Sequence, residues 1–436
     1  MILRRLGRVS LATALFAYLA WGQTKIALEE RLWVASKIYA SIPIYFAHWQ
    51  GVRDLDLDAA YKEYLKGAAS AETRWDFDLL TLEFMARLKN GHTDFSDRFL
   101  SGAGGPPVGF SAAPVDGKWT VLETYIDKLK IGDIIERLDR VSIDRFFAEK
   151  RKYISASSDA AAQRVFFYHK HLFPQQFRLH LASGADVSID RLTQDLHFPE
   201  PRPTEARWIE EPSIAYFRIQ SFEDPKNEEF ALNAVKQYRN ARAMVFDVRG
   251  NGGGSTPERL LRAIIDRPYH DWSQSTAISV GLFRAYSRLQ EIARPGKLSE
   301  RESGYYGAFS EFAAPQLMAP GALIQPADPV YRGRIVVLTD FACTSACEDF
   351  VMPLKYSGRA TIVGERTRGS SGQPFLYDFG NGMSFRISSR RMYFPDGSEF
   401  EGVGIAPDVE VRPSITDRRD GKDIVFERAV RLASEK

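Results

Sequence analysis

Cysteine is almost absent: Cys343 and Cys347 are the only two in 436 residues. They stand four apart in a stretch that reads as helix, which is poor geometry for a disulfide. With no CxxC pair and no histidine at ligand spacing nearby, they do not read as a zinc site. HExxH and GxSxG are both missing, which argues against a zinc peptidase helix and an α/β-hydrolase elbow. GxxxxGK[ST] and GxGxxG are missing as well, so the glycine loop "GNGGGS" lacks the partners a phosphate cradle needs. Charge of either sign is scarce in excess: 58 basic against 56 acidic residues leave a formal net charge of +2. No basic cluster is interleaved with aromatics. Nothing of that kind favours nucleic acid or an anionic lipid surface. Beyond the N-terminus no apolar run is long enough for a bilayer, which takes about 20 residues.

What is present is a long, ordinary globular chain. Hydrophobic residues make up 44% and charged residues 26%, and the length suggests two or three domains. The opening "MILRRLGRVSLATALFAYLAWGQ" sets Arg4, Arg5 and Arg8 before an apolar stretch from Val9 to Trp21. Ala20 and Gly22 fall at the −3 and −1 places of a cut before Gln23. That is the layout of a secretory signal over residues 1–22, and it predicts an exported protein, periplasmic or extracellular, with no integral span after its removal.

Residues 23–100 read as a helical region with apolar residues at three-to-four spacing, the last helix stopping at Gly91. "SGAGGPP", Ser101 to Pro107, reads as a loop. Short β-like runs follow to about Asp190 with a helical stretch between them, and "PEPRPTEARW" reads as a linker. From about residue 201 the pattern is α/β. "SIAYFRI", "AMVFDVR", "RIVVLTD" and "RATIVGE" read as buried strands, and residues 268–331 interrupt them as an insertion. Residues 426–436 read as a tail. Twice a buried strand runs into a small-residue turn and then a helix: at "GNGGGSTPERLL" and at "CTSACEDF". Ligands of open α/β sheets sit at such strand ends.

Ser345 lies in the second turn. The commoner role for a serine at a helix start is a cap. The alternative is a nucleophile, which needs a base, an orienter for that base and amides aimed at the developing oxyanion. The amide of Ala346 and those of Gly252 and Gly253 suit the last part, because helix starts have free N–H groups and glycine lets a backbone come close. Cys343 and Cys347 are rivals for the nucleophile, since a thiolate at a helix start is activated. Among seven histidines, His92 follows a glycine in a loop, where positioned groups sit. An unperturbed imidazole titrates near 6.5 and suits a general base at neutral pH.

Four motifs together carry a resemblance. "MVFDVRGNGGGS", "VVLTDFACTSACEDF", "RATIVGERTRGSSGQP" and "EGVGIAPDVEV" stand in the order and spacing of the tail-specific (C-terminal processing) serine peptidases. That superfamily also holds the tricorn protease core and the interphotoreceptor retinoid-binding protein. The resemblance runs from roughly residue 75 to 412. It implies a multidomain α/β protein: an N-terminal helical region, a PDZ-like β-rich module over 101–200 and a crotonase-like α/β peptidase core over 201–425. It places the nucleophile at Ser345 in "SACE". The Ser–Lys branch carries its lysine where this sequence has Ser370, and no lysine is close. The tricorn-like branch takes a histidine from the N-terminal part and a glutamate before "G-x-x-PD", and His92 and Glu401 occupy those places. Glu365 is the second choice for the acid, and Glu399 a third. The resemblance thus implies a serine endopeptidase acting on peptides or proteins without metal or cofactor. The alternative is a non-catalytic binder of peptides or lipophiles on the same fold.

Overall fold

The structure is a computed structural model describing residues 25–194, 196, 202–276, 285, 319–326 and 328–435. The expected signal at 1–22 and most of the expected insertion at 268–331 lie outside the described residues.

The centre of the chain is a six-stranded sheet. Strands Val409–Glu410, Ala360–Gly364, Arg334–Thr339, Ala243–Asp247 and Ile214–Arg218 lie side by side and parallel. Glu205–Glu210, at the far edge, runs antiparallel. The expected linker 199–208 therefore gives its last residues to a strand. Every residue of Ala243–Asp247 is buried, because this sheet is covered on both faces. Side chains alternate between the faces with the period of two a strand imposes. Ala215, Phe217, Met244, Phe246, Ile335, Val337 and Ile362 share one core with helices Pro225–Gln237, Glu258–Ile264 and Ala346–Tyr356. Tyr216, Val245, Val336, Leu338 and Val363 meet Val425, Ala429 and Ala433 on the other face. Those three small residues, four apart, lie on the helix Ile424–Ser434. Residues 426–434 are thus a packed helix and not a tail.

Around this sheet the earlier chain forms two further layers. Helices Leu28–Tyr45, Leu57–Ser70 and Arg74–Ala86 pack as a helical layer. The third ends at Ala86, before the expected stop at Gly91, and Lys89 turns the chain at φ 48°. Strand Asp94–Asp97 follows and pairs with Met383–Ser388, which pairs in turn with Pro374–Asp378. Part of the expected 101–107 loop is helical, since Asp97 caps a short helix Arg98–Ala103 through Phe99 N. Residues from 110 to 190 form a two-stranded and a four-stranded antiparallel sheet around an aromatic core that includes Phe110, Trp119, Phe166, Phe167 and Phe173.

Candidate active site

Two glycine- or small-residue turns leave the parallel sheet at the carboxyl ends of neighbouring strands, Ala243–Asp247 and Arg334–Thr339. In the second, Ser345 adopts φ 57° and ψ −126° directly before the helix Ala346–Tyr356. A non-glycine residue costs about 1–3 kcal/mol in such a conformation and stays there only when its surroundings hold it. They do. The Ser345 N–H faces Ser370 O at 3.0 Å and Glu348 Oε2 at 3.1 Å. Thr344 Oγ1 donates to the same Ser370 carbonyl at 3.0 Å, and Thr344 N donates to Asn251 O at 3.3 Å. The buried Glu348 carboxylate also accepts from Thr367 Oγ1 (2.6 Å), Gly369 N (2.7 Å) and Ser370 N (3.1 Å). It therefore joins the Ser345 turn to the 367–370 loop. Burial pushes its pKa up to about 8 against those donors.

The turn also corrects the reading of the cysteines. Cys343 precedes the helix, and the left-handed residue between brings it back toward Cys347 with 5.4 Å between Cα atoms; the two sulfurs are bonded. Both are fully buried. A disulfide looked unfavourable only while both residues were placed in one helix. As a bonded pair they leave no free thiol to rival Ser345.

The other turn approaches from the side. A Cβ on Gly253 would lie 2.7 Å from Ser345 Cβ and from Thr344 O, and 3.1 Å from Ala346 N. Only glycine fits there, and its φ of 97° asks for glycine independently. The Gly253 N–H is donated to Asn251 Oδ1 at 2.9 Å. Among the described residues the amides of Gly252 and Ala346 carry no hydrogen bond, so these two are the free donors beside Ser345.

His92 is brought in by the strand after it. Arg386, across the Asp94–Asp97 pairing, binds Asp94 at 2.6–3.0 Å and Gly91 O at 3.2 Å. His92 N donates to Asn90 Oδ1 at 2.9 Å. The imidazole Nδ1 lies 2.9 Å from Ser370 Oγ, and that hydroxyl donates to Glu401 Oε1 at 3.1 Å. With its proton directed at the carboxylate, Ser370 Oγ accepts from Nδ1–H, which leaves Nε2 as the unprotonated nitrogen. Glu401 Oε1 accepts further from Asn90 Nδ2 (2.9 Å) and Ser157 Oγ (2.5 Å). No hydrogen bond joins Ser345 to His92, or His92 to Glu401. All three are tied to Ser370 instead: Ser345 through its carbonyl, His92 and Glu401 through its hydroxyl.

The electrostatics differ from those of free side chains. Burial, with help from Arg386 and Arg368, lowers the His92 pKa to about 3. Burial raises Glu401 to about 7 against the donors from Ser157 and Ser370. The group that titrates near neutrality is therefore the carboxylate and not the imidazole. Glu365 sits elsewhere, between Arg164 (3.0 Å) and Arg418 (3.1 Å), and Glu399 pairs with Arg391 at 2.6 Å. Neither has a hydrogen bond to His92.

Residues 213–411 match the family model described as Peptidase family S41. That segment, with the relatives it matches, supports the tail-specific protease superfamily. Similarity to its members is spread thinly. The chain is 29% identical over 92 residues to a carboxy-terminal-processing protease of Bartonella bacilliformis, covering 21% of each chain. It is 27% identical over 174 residues to the chloroplastic C-terminal processing peptidase of Tetradesmus obliquus, covering 39% of this chain and 29% of that one. The chain thus matches less than a third of the length of either relative. Solved structures extend the likeness in fold over nearly the whole chain. Mature CPAF complexed with lactacystin aligns with a TM-score of 0.68 at 15% identity, over 93% of this chain and 98% of that one. The photosystem II D1 C-terminal processing protease aligns with a TM-score of 0.52 at 16% identity, over 88% and 93%.

Four residues of the cluster escape a sequence reading focused on nucleophile, base and acid: Asn90, Ser157, Glu348 and the bridging role of Ser370. Glu348 stands inside a quoted motif and Asn90 two residues before His92, and both side chains are fully buried. Ser157 gives no signal, because "SASSD" reads as the cap of the next helix, a role its neighbour Ser158 fills.

Proposed function

We propose that the chain is a serine endopeptidase with Ser345 as nucleophile, His92 as general base and Glu401 as the acid that orients it through Ser370. The observation that carries this reading is the single hydrogen-bonded line His92–Ser370–Glu401, whose middle residue also anchors the strained Ser345 turn. His92 Nε2 takes the Ser345 proton as Oγ attacks the peptide carbonyl. The oxyanion lies against the amides of Gly252 and Ala346, with Gly253 allowing the approach. Ionised Glu401 stabilises the imidazolium through the serine hydroxyl. His92 then protonates the leaving amine, and water repeats the cycle on the acyl-enzyme.

The segment 101–200 is assigned as a PDZ-like module that takes an extended peptide on a sheet edge, and 201–425 as a crotonase-like peptidase core. Residues 1–22 are assigned as an export signal. Among the described residues no helix is long and apolar enough to cross a membrane.

The test is covalent labelling by a fluorophosphonate probe together with cleavage of a labelled protein such as casein. The wild type should label and cleave, and Ser345→Ala should do neither while keeping its thermal melt within about 1 kcal/mol, the worth of a lost cap. An active Ser345→Ala protein would return Ser345 to the status of a cap.

A further inference from the structure

Behind the site lies a second buried histidine that the peptidase chemistry does not use. His48 is held neutral by burial, with help from Arg391. Arg391 Nη1 lies 3.5 Å from its Nδ1, which accepts as the unprotonated nitrogen. Nε2 then carries the proton and donates to Ser388 Oγ at 2.9 Å, and that hydroxyl donates onward to Arg390 O at 3.3 Å. Ser388 ends the strand Met383–Ser388, and its N–H donates to Thr93 Oγ1 at 3.0 Å. The Thr93 hydroxyl donates in turn to Asn90 Oδ1 at 2.9 Å. Ser388, Thr93 and Asn90 are all fully buried.

These partners leave Asn90 one orientation. Its Oδ1 also accepts the His92 N–H (2.9 Å), a group that can only donate, so Nδ2 faces Glu401 Oε1 (2.9 Å). A flipped carboxamide would set its NH2 against an N–H and its carbonyl against a carboxylate. With the Ser370 contacts this closes a ring of hydrogen bonds through the His92 backbone, Asn90, Glu401, Ser370 and the His92 imidazole. Base and acid are thus held at two points, the imidazole by Ser370 and the main chain by Asn90. A reacting group displaced by about 1 Å loses about 10²-fold in rate, which is the scale on which a second point of attachment matters.

We propose that Asn90 is a positioning residue that clasps base and acid together, its carbonyl on the His92 backbone and its amide on the Glu401 carboxylate, with Thr93, Ser388 and His48 fixing its orientation from behind. The proposal rests on the peptidase reading for the reaction it serves, but the state of the His92 ring tests it without catalysis.

The experiment uses the full chain as Asn90→Asp, Thr93→Val and Thr93→Ser, each checked by thermal melt. kcat and KM are measured against pH on a fluorogenic peptide spanning a mapped casein cut. Asn90→Asp keeps the size and both acceptor contacts but sets a second carboxylate against Glu401 Oε1, where Nδ2 now lies at 2.9 Å. Carboxylates that close share a proton, so the rising limb of kcat should move alkaline by about one unit or more, with KM within about twofold. The other charged or titratable groups about Glu401 are unaltered: Glu348 on the nucleophile helix, Arg391 with its partner Glu399, and His92. Thr93→Val should lower kcat about tenfold, the worth of one buried hydrogen bond, and Thr93→Ser should recover most of it. In protein labelled with 15N-histidine, the His92 signals, assigned by comparison with His92→Gln, should report a proton on Nδ1 and none on Nε2. Thr93→Val should turn them into a mixture of tautomers. A wild-type pH limb in folded Asn90→Asp would overturn the clasp, as would Thr93→Ser as slow as Thr93→Val in protein that melts like the wild type. If Asn90→Asp does not fold, the Thr93 pair decides. Wild-type protein that neither labels nor cleaves, yet shows the His92 signature and its loss in Thr93→Val, would sink the peptidase reading and leave the clasp standing. A signature unchanged in Thr93→Val would overturn the clasp itself.

Discussion

Ser370→Ala removes one oxygen from the middle of the His92–Glu401 line and leaves the rest of the Ser345 turn in place. The Ser370 carbonyl still accepts from Ser345 N and Thr344 Oγ1, and the Ser370 amide still donates to Glu348. The hydroxyl is bonded to both His92 and Glu401, so the cost in stability is that of two hydrogen bonds, about 1–3 kcal/mol. The cost in rate is larger. His92 is held at about 3, well below a free imidazole, chiefly by burial, so its protonation in this site is opposed. Ionised Glu401 offsets that in the transition state, and among the described residues the serine hydroxyl is the hydrogen-bonded link between it and the imidazole, Asn90 reaching only the His92 backbone. Losing most of that offset lowers kcat/KM by about 10²–10⁴-fold, the range seen when a base loses its orienting acid. The assay is the rate of fluorophosphonate labelling and of casein cleavage, with Ser157→Ala as control. Ser157 also donates to Glu401 (2.5 Å) but does not touch His92. It should therefore shift the pH midpoint upward with a far smaller loss of rate. A Ser370→Ala enzyme within threefold of wild type, or a Ser157→Ala enzyme equally damaged, would refute the relay.

Activity should rise with pH through about 7, because Glu401 must be ionised and burial has raised it there. Glu401→Gln should remove that limb, and a limb surviving near 8 would pass the titration to Glu348. His171 is held at about 3, chiefly by burial. A folded pKa below the unfolded value means the unfolded chain binds the extra proton, so stability falls as pH drops from about 6.5 toward 3. His171→Asn should flatten the plot of Tm against pH in that window, and an unchanged slope would exclude the residue. Gly253→Ala should cost about 1–3 kcal/mol in backbone strain and more than tenfold in rate, because its methyl group would strike Ser345; thermal melts and labelling rates read the two effects. Replacing both cysteines by alanine should lower stability by about 2 kcal/mol, the chain-entropy value for so short a loop, and slow labelling of Ser345.

Much of this was legible in the chain and some was not, for identifiable reasons. "AMVFDVR" and "RIVVLTD" announce central strands because a sheet covered on both faces tolerates no polar alternation. Residues 426–434 were misread as a tail although Val425, Ala429 and Ala433, flanked by Phe426, Val430 and Leu432, repeat at helical spacing. Ser345, His92 and Glu401 can be picked from their motifs. Their common attachment to Ser370 cannot, because it depends on the pairing of Asp94–Asp97 with a strand almost 300 residues later. The cysteines were misjudged for a local reason: spacing in a helix was assumed where one residue at φ 57° reverses the chain.

The bond between Cys343 and Cys347 encloses the residue proposed to attack substrate. In a thiol-rich compartment that bond does not form, and the turn must then rely on its hydrogen bonds to hold Ser345 in a disfavoured conformation. Crossing into an oxidising compartment would therefore do more than relocate the chain. It would complete the geometry of the turn, so that oxidation of the pair would be a step of activation in its own right.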